Sequence, residues 1–482
     1  MSSAPARTTD NDGIDPAGMR VIWLLLVAAF VAILNETTMA IAIPELNKNL
    51  GIPPELGQWL TSAFMLTMAV IIPTTGFLIE RFTTRQVFIT AMTAFGAGTL
   101  LCLVAQGFPM LLVGRVVQAA GTGIMMPLLM TTIMNVVPSR SRGRMMGRVG
   151  LVMSLAPAIG PTMSGVVLDS LGWRWLFGIV LPIALIALGL GIKWMTNLGE
   201  NERVPLDVFS VVLSALAFGG IVYGLSLFGS AHGDETASSA LQPWVPVALG
   251  AVALAGFIAR QLALTKRDAA LLDVRVFAAR NYTICVIIMA VVALSMFGTF
   301  GLLPLFLQNV VGLSPTSAGL VLLPGSILMG LLGPVMGRIY DARGPKTLLV
   351  PGTIMIAAAL FFYSTADQNT PVALLVVAQT VMSLGLAGSF TPLFSASLGS
   401  LTRHLYSHGS AALNTIQQVF GAVGTAVLIS IYSTALYTGA DSGSSVVEAG
   451  ANGSQQAFLV GACIACVPVV LAFLVIKPEE ED

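Results

Sequence analysis

Nearly uncharged runs of about 20 residues recur from one end of this chain to the other, each long enough to cross ~30 Å of hydrocarbon. They predict fourteen helices, near 21–46, 58–79, 87–106, 109–134, 146–168, 174–195 and 208–229, then 242–263, 283–307, 315–336, 347–365, 371–396, 411–436 and 456–476. Polar stretches separate them. The longest late one, 437–455, is rich in glycine and serine and reads as a loop. The first 19 residues are polar and hold Asp10, Asp12 and Asp15, with no basic segment leading into a short apolar core. They predict no signal peptide, so the first apolar run is retained as a helix.

Composition agrees with the pattern. Of 482 residues, 56% are hydrophobic and 10% charged, against about 25% charged in soluble proteins. This is a polytopic membrane protein. The net charge of zero says little, but the placement of charge orients the chain. With the N-terminus inside, 20 of the 23 basic residues fall in or beside cytoplasmic segments. Only Lys48 and Arg174 fall outside, and Arg115 falls within a helix. The positive-inside rule then puts both termini, 135–148 and 265–281 in the cytoplasm and 437–455 outside. Trp23, Trp59, Trp173, Trp175, Trp194 and Trp244 fall at predicted helix ends, as rings at the headgroup level do.

Chemistry of the enzymatic kind is not signalled. His232, His404 and His408 lie in loops, and no nucleophile–base pair, phosphate loop or metal constellation is present in the sequence. Cys463 and Cys466 form a C-x-x-C without a second pair or a nearby histidine, and read as small packing residues. No cofactor, metal or nucleic-acid partner is expected.

Two loops echo one another. Gly76–Val87 holds Glu80, Arg81 and Arg85; Gly337–Lys346 holds Asp341, Arg343 and Lys346. Each reads glycine, apolar spacer, carboxylate, then positive charge before the next apolar run, which suggests a doubled chain. The first echo follows the second helix and the other follows the tenth. An offset of eight implies two six-helix bundles with two helices inserted between them. The expected division is a tail 1–20, a bundle 21–200, inserted helices 201–264, a linker 265–281, a bundle 282–476 and a tail 477–482.

Five stretches together resemble the fourteen-helix drug:proton antiporters of the major facilitator superfamily. They are the two loops, Arg115-Val-Val-Gln118 with Gly121 and Gly123, Ala158–Gly165 on the fifth helix, Pro304–Pro315 and Gly409–Gly424. Glu80 stands where that family usually has aspartate, Thr83 and Ser164 where it has glycine, and Asn35 where it has the carboxylate of the first helix. The asparagine–glutamate–threonine order at 35–37 is similar to lincomycin-type multidrug exporters. The resemblance implies an all-α major facilitator fold in a bacterial plasma membrane. It implies a monomeric transporter whose partners are protons, lipid and a small hydrophobic or amphipathic substrate.

The residues allow two readings of each motif. The carboxylate and cations of each loop (Gly76, Glu80, Arg81 and Arg85; Gly337, Asp341, Arg343 and Lys346) can latch the cytoplasmic side, or simply signal topology. Ala156, Gly160 and Ser164 recur at spacing four with Pro161 and Gly165 beside them. Small residues there let helices approach closely, as an exporter's leak-resistant seam or as ordinary packing. Glu36 and Arg115 are costly in lipid and should face the bundle interior or a wet cavity. Glu36 lies eight residues before Pro44 and Arg115 six after Pro109, ~12 and ~9 Å from the outer ends at ~1.5 Å per residue. Similar depths on opposed helices predict neighbours, directly or through water. Burial favours a protonated carboxylate and a nearby arginine the ionised one, so a filling and emptying cavity can move a proton; a static pair is the other reading. Asn35, Met39, Gln118, Gln308, Asn309, Gln379, Asn414 and Gln418 are the candidate substrate-cavity residues, and no intramembrane acid beyond Glu36 stands out. Proton-coupled export is expected; transport of one native metabolite or lipid, or a non-cycling receptor, are the alternatives.

Overall fold

The computed structural model describes residues 16–195, 197, 207–230, 243–266, 270–402, 405–441 and 443–477. Among these, fourteen α-helices and no strand occur. The first half is α1 (Pro16–Leu50), α2 (Pro54–Arg81), α3 (Thr84–Leu103), α4 (Phe108–Val136), α5 (Ser139–Leu171) and α6 (Arg174–Trp194). Next come α7 (Val208–Ser230) and α8 (Trp244–Thr265). The second half is α9 (Arg280–Leu305), α10 (Pro315–Arg343), α11 (Lys346–Tyr363), α12 (Val372–Leu398), α13 (Tyr406–Asp441) and α14 (Val446–Ala472). All but α5 contain a window apolar enough to span a membrane. Helix α5 opens on Arg140, Arg142, Arg144 and Arg148, which dilute its hydropathy.

Several helices run past the apolar runs that predicted them. The expected loop 437–455 is a correction: α13 continues to Asp441 and α14 begins at Val446. A capping box explains the early start. Ser445 Oγ accepts from the Glu448 N–H, and the Glu448 side chain accepts from the Ser445 N–H. Gly443 turns the chain at φ 75°, a value glycine takes without strain. The stretch 135–148 is likewise helical except at Val137 and Pro138. The expected sharp turn at Gly344-Pro345 is present, with Gly344 at φ 78°. In the linker, a 3-10 turn spans Val274–Ala278, and the buried Gln261 carboxamide accepts from the Leu271 and Leu272 N–H groups. The tails 1–15 and 478–482, Arg267, His232 and His404 lie outside the described residues. Trp173 is buried edge-on against Phe177 rather than at a lipid boundary. Cys463 and Cys466 are free and exposed rather than packed.

The two halves meet along two seams, α2 with α13 and α5 with α10. Helix α7 lies over the first seam and touches both halves. Tyr223 packs on Trp59 with ring centroids 5.9 Å apart, and Ser430 Oγ donates to the Leu225 carbonyl at 3.2 Å.

The seams are tightest toward the end of the bundle formed by the α1–α2 turn, although on the α2–α13 seam Thr415 Oγ1 still donates to the Ala69 carbonyl at 3.5 Å past mid-helix. There Ser62 and Thr425 share a hydroxyl hydrogen bond at 3.2 Å, and Gln308 Nε2 donates to the Ile41 carbonyl at 3.1 Å. The Thr316 N–H donates to Asp169 at 2.9 Å. Toward the end that carries the chain termini, the halves part. From Ser326 to Ile339 no residue of α10 is buried, whereas Ala318, Gly319, Val321, Leu322 and Gly325 are. The bundle is therefore closed at the turn end and open at the terminal end.

Candidate functional site

Helix α1 carries a partly exposed stripe at helical spacing: Phe30, Ile33, Glu36, Thr37 and Ala40. Glu36 is half-buried there and takes part in no ion pair among the described residues. Its neighbours Asn35 and Thr38 turn inward and are buried. Both polar atoms of the Asn35 amide lack a hydrogen-bond partner.

Arg115 is fully buried, and its charge is held by hydrogen bonds and a ring. Nε donates to the Leu60 carbonyl at 3.1 Å and Nη1 to Gln118 Oε1 at 2.8 Å. The guanidinium lies 4.0 Å from the Phe64 ring centroid. Gln118 Nε2 donates to Thr99 Oγ1 at 2.8 Å, and Thr99 to the Phe95 carbonyl at 2.7 Å. Arg115 Nη2 has no partner. A buried charge needs such satisfaction to persist. Arg115 and Glu36 interact electrostatically without a contact inside 4.0 Å. Of the two forms in which they were expected as neighbours, directly or through water, the direct ion pair is not made in this conformation. The depth argument counted from Pro44, but α1 runs six residues further, to Leu50.

The small residues of α5 serve two faces. Ala156, Gly160 and Ser164 turn to the first half. A Cβ on Gly160 would collide with the Thr37 hydroxyl, and Ser164 Oγ donates to the Thr38 carbonyl at 2.7 Å. One helical step round, Pro161 and Gly165 meet α10. A Cβ on Gly165 would lie 2.8 Å from the Pro315 carbonyl carbon and the Thr316 Cα. Reciprocally, one on Gly319 would lie 3.0 Å from Thr162 Cα. Helix α5 is therefore wedged between the Glu36 segment of α1 and the opposite half.

The expected substrate-cavity residues separate into groups. Asn35, Met39, Gln118 and Gln379 are buried in packed helices and do not face the open end. Gln379 Oε1 accepts from the Tyr363 hydroxyl at 3.1 Å. Gln308 crosses the closed seam to Ile41 and, with half-buried Asn309, sits in a π-turn, Phe306–Val310, that ends α9. Asn414 and Gln418 are half-buried on α13; Asn414 Nδ2 donates to the Ser410 carbonyl at 2.8 Å, and Gln418 Nε2 lies 3.9 Å from Met68 Sδ.

The loop residues lie at the parted end. Arg85 Nη2 donates to the Ile192 carbonyl at 2.7 Å, at the end of α6. Arg81 lies over the Phe77 and Phe82 rings, 5.6 and 6.0 Å from their centroids. Asp341, Arg343 and Lys346 are exposed, and Asp341 forms no ion pair among the described residues. Its carbonyl instead accepts from Lys477 Nζ at 2.8 Å. Gly76 and Gly337 have no neighbour within 4 Å of a built Cβ. The Glu80 side chain lies outside the described residues. With this end apart, no carboxylate latch is drawn across the second loop.

Two carboxylates outside the spanning segments are fixed by arginines. Arg260 donates to both Asp207 oxygens, each at 2.8 Å, and Ser210 adds its hydroxyl. These bonds, Arg260 foremost, hold Asp207 at about 2. Burial pushes Asp273 up, but hydrogen bonds from Arg275 and its N–H bring it below the ordinary value. One polar group was not anticipated at all: Asn47, Glu55, Gln58 and Ser433, at the closed end, hold side-chain atoms that are buried and unpartnered.

Comparison with known proteins matches this architecture. The Major Facilitator Superfamily profile matches residues 25–425. The chain is 41% identical over 460 residues to the Bacillus subtilis uncharacterized MFS-type transporter YcnB, covering 95% of each. It is 37% identical over 463 residues to the Listeria monocytogenes lincomycin resistance protein LmrB, covering 95% of this chain and 96% of that one. It is 30% identical over 419 residues to the Mycobacterium tuberculosis multidrug resistance protein B homolog, covering 86% and 76%. A bacterial homologue of the human lysosomal transporter Spinster, solved inward-facing and unoccupied, superposes with a TM-score of 0.69 at 15% identity, covering 95% of this chain and 97% of that one. An auto-inhibited POT family peptide transporter gives 0.66 at 14%, covering 95% and 96%. The chain belongs to the major facilitator superfamily.

Proposed function

We propose that the chain is a proton-coupled antiporter that exports hydrophobic or amphipathic compounds by alternating access, with both termini in the cytoplasm. The observation that carries this reading is Glu36. It is a carboxylate without an ion pair among the described residues, on the partly exposed stripe of α1, in a bundle whose halves part toward one end. Relatives named for lincomycin and multidrug resistance support a drug-like cargo. Arg20, Arg81, Arg85, Lys193, Arg343 and Lys346 gather at the parted end, which supports a cytoplasmic assignment for it.

On this reading the described conformation faces the cytoplasm. Glu36 releases its proton there and substrate enters between the halves. The halves then rock, the closed end opens, substrate leaves, and Glu36 takes a proton from outside. Arg115 is the fixed charge against which Glu36 cycles, held in place by Leu60, Phe64 and Gln118.

Proteoliposomes with an imposed pH gradient test the proposal. Glu36→Gln keeps the shape and removes the titrating proton. It should abolish gradient-driven accumulation yet retain substrate exchange between the two sides, since exchange needs no net proton movement. Undiminished accumulation in the variant would move the proton site elsewhere, and substrate binding without any transport in the wild type would favour a receptor.

A further inference from the structure

The closed end holds an acid that the cycle above does not use. Glu55 lies in the first turn of α2, 4% exposed, with neither carboxylate oxygen hydrogen-bonded. Around it, Gln58 is 1% exposed with both amide atoms unpartnered, and Ser433 Oγ, fully buried on α13, faces the carboxylate without a hydrogen bond. Asn47 of α1 leaves its amide unpartnered too; a Cβ on Gly57 would lie 2.8 Å from its Cγ, so α1 and α2 nearly touch there. Glu55 and Ser433 belong to opposite halves. The pocket therefore exists only while α2 and α13 are together.

Other charged and titratable groups nearby do not neutralise it. On α13, Tyr437 lies within electrostatic range of Glu55, and Tyr432 is buried. On α1, Glu45 accepts from Asn49 at 2.7 Å and Lys48 is exposed. On α7, Tyr223 packs on Trp59. No ion pair reaches Glu55 among the described residues. An ionised carboxylate buried here is disfavoured, with only the Ser433 hydroxyl and a backbone N–H turned toward it and no cation paired with it among the described residues. The neutral acid, by contrast, carries an O–H that the facing Ser433 oxygen can accept.

We infer that Glu55 is a second proton-binding site, set in the gate rather than in the transport path. The seam closes over the protonated acid; opening it hydrates Glu55, which gives its proton back to the side it came from. This rests on the alternating-access reading, and it differs from Glu36 in consequence. The Glu55 proton biases the gate and does not cross the membrane. Proton arrival at Glu55 from outside favours closing that side, which is the step that returns an emptied exporter to its loading state. One proton held only by the closed form changes the open-to-closed ratio up to ~tenfold per pH unit.

Spin labels at Lys48 and Asn369, at the closed ends of opposite halves, read this directly in nanodiscs. The background carries Cys463→Ser and Cys466→Ser. Wild type should populate the longer distance as pH rises. Glu55→Gln should stay at the short distance with that slope lost, while Glu36→Gln keeps it. A Glu55→Gln titration equal to wild type, or a wild type with no pH slope, overturns the inference. Should Glu55→Gln fail to insert, Glu55→Asp carries the test: its slope must persist with a displaced midpoint, and an unmoved midpoint overturns it. Loss of gradient-driven transport by the wild type would instead sink the antiport proposal, leaving the Glu55 slope readable.

Discussion

Gly165→Ala should open the closed end, and its cost can be worked from the geometry. The added Cβ would lie 2.8 Å from the Pro315 carbonyl carbon and from Thr316 Cα. Carbon pairs settle at ~3.5–4.0 Å, so α5 and α10 must part by roughly 1 Å. Both obstacles are backbone, so no side chain can swing aside. Overpacking of this kind costs about 1–3 kcal/mol. The cost falls on the closed arrangement alone, because Gly165 and Pro315 belong to opposite halves. The open-to-closed ratio should therefore rise about 5- to 150-fold, the population equivalent of that energy. Gly333→Ala is the control: it sits on α10 with nothing within 4 Å. The Lys48–Asn369 spin-label distance, at fixed pH, is the measurement. If Gly165→Ala leaves that distribution where Gly333→Ala leaves it, the α5–α10 contact does not set the gate and the reasoning fails.

Three further outcomes are expected. Gly160→Leu should abolish transport while the protein still inserts, since its side chain would drive α1 from α5 at Thr37; normal export in vesicles would refute this. Arg115→Lys should lower transport about tenfold and stability by about 1–3 kcal/mol, because one ammonium cannot reach both Leu60 and Gln118 as the fork does; unchanged melting and flux would show the fork to be idle. The Asp207–Arg260 pair contributes fully above the ordinary aspartate value of ~4 and loses its contribution as pH falls toward about 2, where Asp207 protonates in the folded protein. The melting difference between wild type and Asp207→Asn should accordingly be constant from pH 7 to about pH 5 and shrink below ~4; a difference that grows on acidification would contradict it.

Much of the fold was legible because the membrane imposes a length rule on every apolar run. Paired loops at 76–87 and 337–346 then gave the two halves and the insertion. Helix ends were less legible, since hydropathy marks where lipid begins and not where hydrogen bonding stops. Ser445 and Glu448 cap α14 well outside its apolar core, so a polar stretch was read as loop. The same blind spot hid Glu55. With α2 expected near 58–79, Glu55 falls between the apolar runs; in the fold it is helical, and α13 overlies it through Ser433. The signal available was Pro53-Pro54-Glu55, a proline just inside a helix start followed by an acid in its first turn. At the intramembrane charges, the sequence puts Gln118 among the cavity candidates, whereas in the fold it accepts from Arg115 three residues away. What spacing could not reveal was that Arg115 turns Nε to Leu60 and Nη1 to Gln118, with no ion pair to Glu36 among the described residues. That depends on how α1, α2 and α4 pack.

The position of α7 makes the molecule two-faced toward the bilayer. A bundle of two halves has two lateral clefts, one along each seam, and a solute dissolved in lipid could slip in by either. Here α7 and α8 stand as a wall against the α2–α13 cleft, with Tyr223 and Leu225 engaging both sides of it. The α5–α10 cleft has no such cover among the described residues. On the proposed export cycle, a compound arriving sideways from the membrane would enter by the α5–α10 cleft, past the unburied face of α10 beyond Gly325. The inserted hairpin gives the transporter a front and a back.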